Sequence, residues 1–272
     1  MLRIGRIDYA NCTPIFQAMQ DLYPGETYRY VAGVPARLNA LLLSGEIDVC
    51  PSSSIELALH PKRYFVIPEL SISSSGPVQS VLLFSTVPIE ELDGRTVMLS
   101  SESATSVNLL KILLNMRYGC NCTFQRTTMD LDGALQEAPA VLLIGDAALR
   151  SINPASDLMV YDLGELWFQW TGLPFVFALW LTTREASVNH IDAVRLLMRQ
   201  LRHAKDYARG HLERIADASP EALWMGRDRL LEYWRVNISY DLGDEQRKGL
   251  ALFFRYAAEL GLIDDVPELS FL

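Results

Sequence analysis

Residues 33–59 read GVPARLNALLLSGEIDVCPSSSIELAL and decide the fold class of this chain. Pro35 stands at the first position of a helix pattern, leucines recur at three- and four-residue spacing, and Gly45 follows the end of the pattern. The short apolar run IDVC then predicts a strand, and a serine-rich segment leads into a second helix. A strand between two helices is typical of β-α-β units, so we expect a parallel sheet.

The same alternation extends over the first two thirds of the chain. Strand-like runs, each close to a Gly, Pro, Ser or Thr boundary, are LRIGRI, YRYVA, IDVC, YFVI, VQSVLLF, TVMLS, TFQRT and AVLLIG. Beyond about residue 187, apolar residues recur at helical spacing between charges, which predicts a C-terminal third made of long helices. The fold class is therefore α/β with a helical C-terminal segment.

Two extended apolar segments, VQSVLLFS and PFVFALWLTT, are suited to cross between lobes, since the sequence contains no long linker. We therefore predict a discontinuous first lobe of residues 1–85 plus 177–272 and an inserted second lobe of residues 86–176. A ligand cleft is expected between the two lobes.

Composition restricts the function. Of the 272 residues half are hydrophobic, and the formal net charge is −9 with a sequence pI of about 5.0. An acidic chain without a basic block is unsuited to nucleic acid or an anionic membrane, so a small molecule is the expected partner. No apolar run approaches the ~18 residues of a membrane span, and we expect a cytoplasmic location. The four cysteines are expected to be reduced thiols.

The first strand is followed by a polar cluster in the segment RIDYANCTPIF, residues 6–16. Thr13 is predicted to cap the next helix, with Pro14 at its first turn. Asn11 lies between the strand and this helix, at a strand edge where α/β proteins bind ligands. We expect Asn11 to face the cleft, with Asp8 and Tyr9 at its rim.

Further serine- and threonine-rich segments precede helices. They place Ser52, Ser53 and Ser54 before one helix, Ser103, Thr105 and Ser106 before another, and Gly145 with Asp146 at a third strand-to-helix junction. Unpaired N–H groups and a partial positive charge at helix N-termini favour carboxylates, so these residues are candidate substrate ligands. The alternative is that the side chains only cap their own helices. No nucleotide-binding, nucleophile-elbow or metal-binding motif accompanies them, so no cofactor and no metal are expected.

Several of these separated segments together resemble one family. IDYANCTPIF, GVPARLNALLLSGEIDVCPSSSIE, GPVQSVLLFS, LSSESATSVNLLKILL, IGDAALR and YDLGELWFQWTGLPFVFALW are similar, in this order, to the chorismate dehydratases of the futalosine route to menaquinone. The resemblance covers roughly residues 3–184. It implies a two-lobed fold of the type II periplasmic-binding-protein kind, used inside the cell as an enzyme.

The resemblance also implies a reaction and its residues. Chorismate would lose water to give 3-[(1-carboxyvinyl)oxy]benzoate without a cofactor. Asn11 and Ser80 match the positions where the family has an Asn and a Ser beside the reacting ring. Because no His or Glu stands in an obvious position for a base, we hypothesise that the enolpyruvyl carboxylate of the substrate takes the proton. Ser80 has a second interpretation as an ordinary strand serine.

Two other functions remain open from the sequence. One is the sister enzyme of the same pathway, which makes a dihydroxynaphthoate, although its N-terminal Cys-Pro-Asn-Asp string does not resemble DYANCTPIF. The other is a non-catalytic clamshell that binds a small dicarboxylate. Composition does not separate binding from turnover, so only the family resemblance favours an enzyme.

Overall fold

A computed structural model describes residues 1–25 and 28–272 of the chain. Its described part contains two five-stranded sheets. The strands are β1 (Arg3–Ile7), β2 (Arg29–Gly33), β3 (Val49–Ser53), β4 (Tyr64–Ser74), β5 (Val81–Ser85), β6 (Thr96–Ser100), β7 (Thr123–Thr127), β8 (Ala140–Ile144), β9 (Met159–Asp162) and β10 (Phe175–Thr183).

Helices connect and cover the sheets. They are α1 (Thr13–Leu22), α2 (Pro35–Ser44), α3 (Ser54–Leu59), α4 (Thr105–Ile112), α5 (Leu131–Glu137), α6 (Gly145–Ser151), α7 (Leu163–Thr171), α8 (Arg184–Asn189), α9 (Ile191–Ala218), α10 (Ala222–Met225), α11 (Arg227–Glu232) and α12 (Asp244–Glu259). The helix predicted from residues 35–44 is confirmed: it has Pro35 in its first turn, and Gly45 ends it with a φ of 77°. The helical C-terminal third is likewise confirmed.

The first sheet has the strand order β2-β1-β3-β10-β4. β1 runs parallel to β2 and β3, whereas β10 runs antiparallel to β3 and β4. The prediction of parallel pairing holds for β1 with β2 and β3 and is wrong for β10. β10 enters this sheet directly from the other half of the molecule, without the helical crossover that parallel pairing needs.

The second sheet has the order β7-β6-β8-β5-β9 and repeats this arrangement. β6 runs parallel to β7 and β8, and β5, which arrives directly from the first sheet, runs antiparallel to β8 and β9. β9 is an edge strand that the sequence analysis did not predict. Two of its four residues are exposed, so its apolar pattern is weak.

Two connections join the halves, one between β4 and β5 and the other between α7 and β10. The division into lobes stays a prediction. Because β5 pairs within the second sheet, we propose that the first crossing lies before Val81 rather than after Ser85. Because β10 begins at Phe175, we place the second crossing just before that residue.

The C-terminal helices complete the core of both halves. α12 packs against β10 of the first sheet and α4 beside the second. The rings of Trp167, Phe175 and Phe253 meet edge to face, with centroids 5.2 Å apart for the first two and 5.0 Å for the last two. The tail therefore ties the two halves together near the second crossing.

All four cysteines have free thiols in this structure. Within residues 1–25 and 28–272, none of the helices combines the length and the apolar character needed to cross a bilayer.

A buried lysine links α9 to the segment before α12. Lys205 donates to the backbone carbonyl of Glu69 at 2.8 Å and to Asp241 Oδ1 at 2.9 Å, and Arg209 also pairs with Asp241. Partial burial raises the pKa of Asp241, but Lys205 and Arg209 outweigh it and hold that pKa below its ordinary value of 3.8. The ionised carboxylate therefore stabilises the fold.

Asp241→Asn is expected to lower the free energy of unfolding by about 1–2 kcal/mol at neutral pH. Because the pKa of Asp241 is lowered in the folded state, the ionised carboxylate stabilises the protein at neutral pH. This stabilisation is lost as the pH falls through the pKa of the folded state, below 3.8. Urea unfolding of variant and wild type should therefore give curves that converge at acid pH. Asp244→Asn, which breaks an exposed pair with Arg247, is the control and should change little. Equal losses in the two variants would contradict the expectation.

Candidate active site

A cleft lies between the two sheets and is lined by residues from both halves. The space in it that no atom fills is about 520 Å³, the part open to solvent included. Apolar side chains form most of its wall. The polar groups are Tyr9 and, among the residues predicted from sequence, Asn11, Ser53, Ser80, Ser103 and Ser106; Gly145 adds backbone.

Asn11 lines this cleft with a side chain whose amide oxygen is buried. Its Oδ1 atom is buried and has no hydrogen-bond partner among the described residues. The backbone around it is firmly held, because the Tyr240 hydroxyl donates to the Asn11 carbonyl at 2.8 Å and Trp234 Nε1 donates to the Ala10 carbonyl at 2.7 Å. A buried amide without a partner in a rigid loop is suited to bind a polar ligand.

The neighbours of Asn11 have different roles. The Tyr9 ring lines the cleft, and its hydroxyl donates to Glu102 Oε2 at 2.6 Å, which joins the two halves. Burial and then the Glu102 carboxylate raise the pKa of Tyr9 far above its usual range, so this phenol stays neutral. Asp8 is exposed and pairs with Arg6 at 2.7 Å.

The prediction that Thr13 caps α1 is wrong. The residue before the helix is Cys12, and no side chain of the described residues caps its N-terminus. Thr13 Oγ1 instead donates to Glu221 Oε1 at 2.8 Å. Glu221 is far away in the sequence and buried. The Thr13 hydroxyl is therefore used in a tertiary contact and not in a local cap.

Ser80 lies at the end of the first crossing, in a strained turn. Gln79 has a φ of 58°, an uncommon conformation for a residue with a side chain. The Asp162 carboxylate holds this turn, since it accepts from the backbone N–H of Val78 at 3.0 Å and of Gln79 at 2.6 Å. Among the described residues, the Ser80 hydroxyl makes one hydrogen bond, a long one of 3.4 Å to the Val78 carbonyl.

Asp162 also caps α7. Its Oδ1 accepts from Gly164 N at 2.9 Å and Glu165 N at 3.1 Å, so the carboxylate serves four backbone amides in all. Burial raises the pKa of Asp162, and the four N–H groups oppose that rise. The sequence analysis missed this residue, although Asp162 followed three positions later by Glu165 is a helix-start signal.

The serine-rich helix starts lie together, but only some of their side chains line the cleft. Ser53, Ser103 and Ser106 line the cleft, and Ser103 Oγ accepts from Ser106 N at 3.2 Å. Ser54 and Thr105 join α3 to α4 across the halves, with their hydroxyl oxygens 3.3 Å apart. The remaining hydroxyl, that of Ser52, donates to Asn39 Oδ1 at 2.7 Å outside the cleft lining.

Two helix N-termini therefore face each other beside the cleft. Thr105, at the start of α4, accepts from the backbone N–H of Ile55 in α3 at 3.1 Å. The partial positive charges of both helix ends add at this point, which favours a negatively charged ligand group. Ser52, Ser54 and Thr105 support this arrangement and do not line the cleft.

Gly145 and Asp146 lie at the start of α6, in the second half of the molecule. Gly145 lines the cleft, and its N–H donates to the Ser80 carbonyl at 2.7 Å. Asp146 does not line it: its Oδ1 accepts from Ala10 N at 2.9 Å, which fixes the Asn11 loop from the second half. Burial, opposed by this hydrogen bond, raises the pKa of Asp146.

Gly145→Ala is expected to destabilise the protein by about 1–3 kcal/mol and to lower its activity. A Cβ atom there would lie 2.6 Å from the Tyr9 ring, at a backbone φ of 59°. The matched control is Gly94→Ala, which has a φ of 71° but open space around the new atom. Urea unfolding and a turnover assay of both variants separate backbone strain from the clash. Equal losses of stability with no loss of activity would contradict the expected role of the Tyr9 contact.

The part of the chain that the structure describes contains no group of three or more His, Cys, Asp or Glu side chains placed to hold a metal ion.

Comparisons with known proteins agree with this architecture. A family model described as menaquinone biosynthesis matches residues 2–259. The chain is 34% identical to a chorismate dehydratase of Thermus thermophilus over 95% of both chains, and 30% identical to one of Campylobacter jejuni over 64% of both.

Among solved structures, an Archaeoglobus fulgidus protein superposes with a TM-score of 0.78 at 20% identity, covering 96% of this chain and 98% of that one. The periplasmic aliphatic sulphonate binding protein of Escherichia coli has a TM-score of 0.69 at 14% identity, covering 98% and 90%. These likenesses concern the fold alone, and they confirm the predicted periplasmic-binding-protein architecture.

Proposed function

Because the chain belongs to the menaquinone-biosynthesis family, we propose that it is a chorismate dehydratase, which converts chorismate into 3-[(1-carboxyvinyl)oxy]benzoate and water. It would be a hydro-lyase that needs no cofactor and works in the cytoplasm, as the family resemblance implies. The observation that carries the proposal is the buried amide oxygen of Asn11, which has no partner among the described residues and lies in a cleft between two helix N-termini and Ser80.

Much of the driving force comes from the substrate. Chorismate loses the hydrogen on ring carbon C3 and the hydroxyl on C4, and the ring becomes aromatic. The C3–H bond is conjugated through a ring double bond to the ring carboxylate, so the negative charge that develops at C3 is delocalised onto that group. Donors around the carboxylate then stabilise the transition state.

The lining of the cleft suits this task. Ser53, Ser103 and Ser106 place hydroxyl groups beside the facing starts of α3 and α4, where we propose that one substrate carboxylate binds. Apolar residues make up most of the remaining wall and exclude water from the ring. Exclusion of water strengthens each hydrogen bond to the developing charge.

Asn11 and Ser80 would act on the leaving hydroxyl. The amide oxygen of Asn11 can accept a hydrogen bond from it and so orient it, and the Ser80 hydroxyl can donate a hydrogen bond to its oxygen. We propose that the enolpyruvyl carboxylate of the substrate takes the C3 proton. The C3–H electron pair becomes the new ring double bond, the C4–O bond breaks, and the departing hydroxide takes the same proton from the enolpyruvyl carboxyl group and leaves as water.

Incubation of the purified protein with chorismate alone tests the proposal. The expected result is an aromatic product lighter than chorismate by one water, detected by chromatography and mass spectrometry and unaffected by a chelator. Unchanged chorismate, with tight binding measured separately by calorimetry, would contradict turnover and favour a binding protein.

A further inference from the structure

Asn39 carries a buried amide in α2 that the proposed chemistry leaves unused. Its side chain lies outside the cleft lining, and the residue is only 4% exposed. Its Oδ1 accepts from the Ser52 hydroxyl at 2.7 Å and from the Ser53 N–H at 3.3 Å, and its Nδ2 donates to Glu56 Oε1 at 3.4 Å. One side chain of α2 is therefore bonded to the last two residues of β3 and to the first turn of α3.

These partners determine which way the Asn39 amide points. A backbone N–H only donates, so the amide oxygen must face Ser53, and the amide nitrogen then faces Glu56. Because the amide oxygen only accepts, the fully buried Ser52 hydroxyl must give its hydrogen to Asn39. The buried amide is thus satisfied on both sides, which holds it in a single orientation.

The end of β3 presents its other face to the cleft. Successive side chains of a strand point to opposite faces, so Ser52 turns toward Asn39 and Ser53 lines the cleft. Among the described residues, β1 pairs with β3 at Ile4 and Val49, so this pairing ends well before Ser53. Asn39 supplies an acceptor for the Ser53 N–H beyond that point. The position of the Ser53 side chain in the cleft therefore depends on Asn39.

We propose that Asn39 is a positioning residue for the substrate carboxylate: it holds the end of β3 so that the Ser53 hydroxyl meets that carboxylate, and Glu56 keeps the Asn39 amide in the required orientation. The inference rests on the proposed dehydration and on the proposed carboxylate site at Ser53, Ser103 and Ser106. Asn39 lies outside the cleft lining, so it acts through Ser53 and touches no substrate atom. It contributes mainly to binding, because the carboxylate is held both before and during the reaction.

Asn39→Ala removes the acceptor of the Ser53 N–H and tests the inference. We expect KM for chorismate to rise at least about fivefold while kcat changes less than about twofold, because a contact made in both the ground state and the transition state is weakened. A wild-type KM would overturn the inference, as would a loss confined to kcat.

Exchange of the amide and the carboxyl group between positions 39 and 56 guards against a folding defect in Asn39→Ala. The double variant Asn39→Asp/Glu56→Gln keeps the total charge, an acceptor for Ser52 and Ser53, and a donor between the two exchanged positions. Its KM should stay within about twofold of the wild-type value. A KM as high as that of Asn39→Ala would contradict the role given to these hydrogen bonds.

Thr182→Val is the matched control, because it disturbs the opposite end of β3. Thr182 is fully buried outside the cleft lining, and its Oγ1 donates at 3.1 Å to the carbonyl of Asp48, the residue before β3. This variant should lose stability in urea unfolding and keep the wild-type KM. An equal rise of KM in Thr182→Val and Asn39→Ala would overturn the inference, because it would reflect a general loosening of the sheet.

A double-mutant cycle tests whether Asn39 acts through Ser53. Ser53→Ala alone should raise KM, and in that background Asn39→Ala should raise it much less than it does in the wild type. Independent, additive increases would overturn the inference. A wild-type protein that leaves chorismate unchanged would instead contradict the proposed function, and the calorimetric Kd for chorismate in the same variants would then carry the test of Asn39.

Discussion

Asn11→Ala is expected to lower kcat for chorismate by at least about tenfold, which corresponds to a loss of ~1.4 kcal/mol of transition-state stabilisation. The Asn11 amide oxygen is buried in the cleft without a partner among the described residues, so the fold gains nothing evident from it. Its natural partner would be the substrate. The measurement is steady-state turnover with circular dichroism to verify folding.

The loop should survive this substitution because its hydrogen bonds come from the backbone. Tyr240 and Trp234 donate to the carbonyls of Asn11 and Ala10, and these bonds do not involve the side chain that is removed. Asn115→Ala, which removes an exposed amide bonded to Asn121, is the control and should keep full activity. Turnover near the wild-type value in Asn11→Ala would remove Asn11 from the mechanism.

Asp162→Ala is expected to cost about 3 kcal/mol or more of unfolding free energy, together with most of the activity. The carboxylate accepts from four backbone amides, two in the turn before Ser80 and two at the start of α7. Without it, these N–H groups lose their acceptor in a buried site. The Gln79 backbone, at a φ of 58°, would relax and carry Ser80 away from its position.

Urea unfolding and turnover measure the two effects separately. The matched control is Asp130→Ala, since Asp130 caps α5 through a single bond to Gly133 N at 3.0 Å on an exposed surface. It should cost about 1 kcal/mol and leave turnover unchanged. If Asp162→Ala lost no more stability than Asp130→Ala and kept its activity, Asp162 would not organise the Ser80 turn.

The features predicted correctly from the sequence are those that depend on near neighbours. The α2 helix begins at Pro35 and ends at Gly45 because these residues have fixed backbone preferences of their own. Strand direction could not be predicted in this way, because β5 and β10 are ordinary apolar runs in the sequence. They run antiparallel to β8 and β3 only because the chain crosses directly between the sheets.

The candidate site likewise contains positions that a local pattern predicted and contacts that no local pattern predicted. Asn11, Ser53, Ser80, Ser103, Ser106 and Gly145 all line one cleft, as their places at strand ends and helix starts suggested. Thr13 has a local capping signal, yet it binds the distant Glu221 instead.

A crystal structure of the Asn11→Ala variant grown with chorismate tests most directly the claim that neutral donors hold the substrate between the two sheets. We expect intact chorismate in the cleft, with one carboxylate at Ser53, Ser103 and Ser106 and the C4 hydroxyl within hydrogen-bond distance of Ser80. Chorismate bound outside this cleft, or held in it by charged side chains, would contradict the claim.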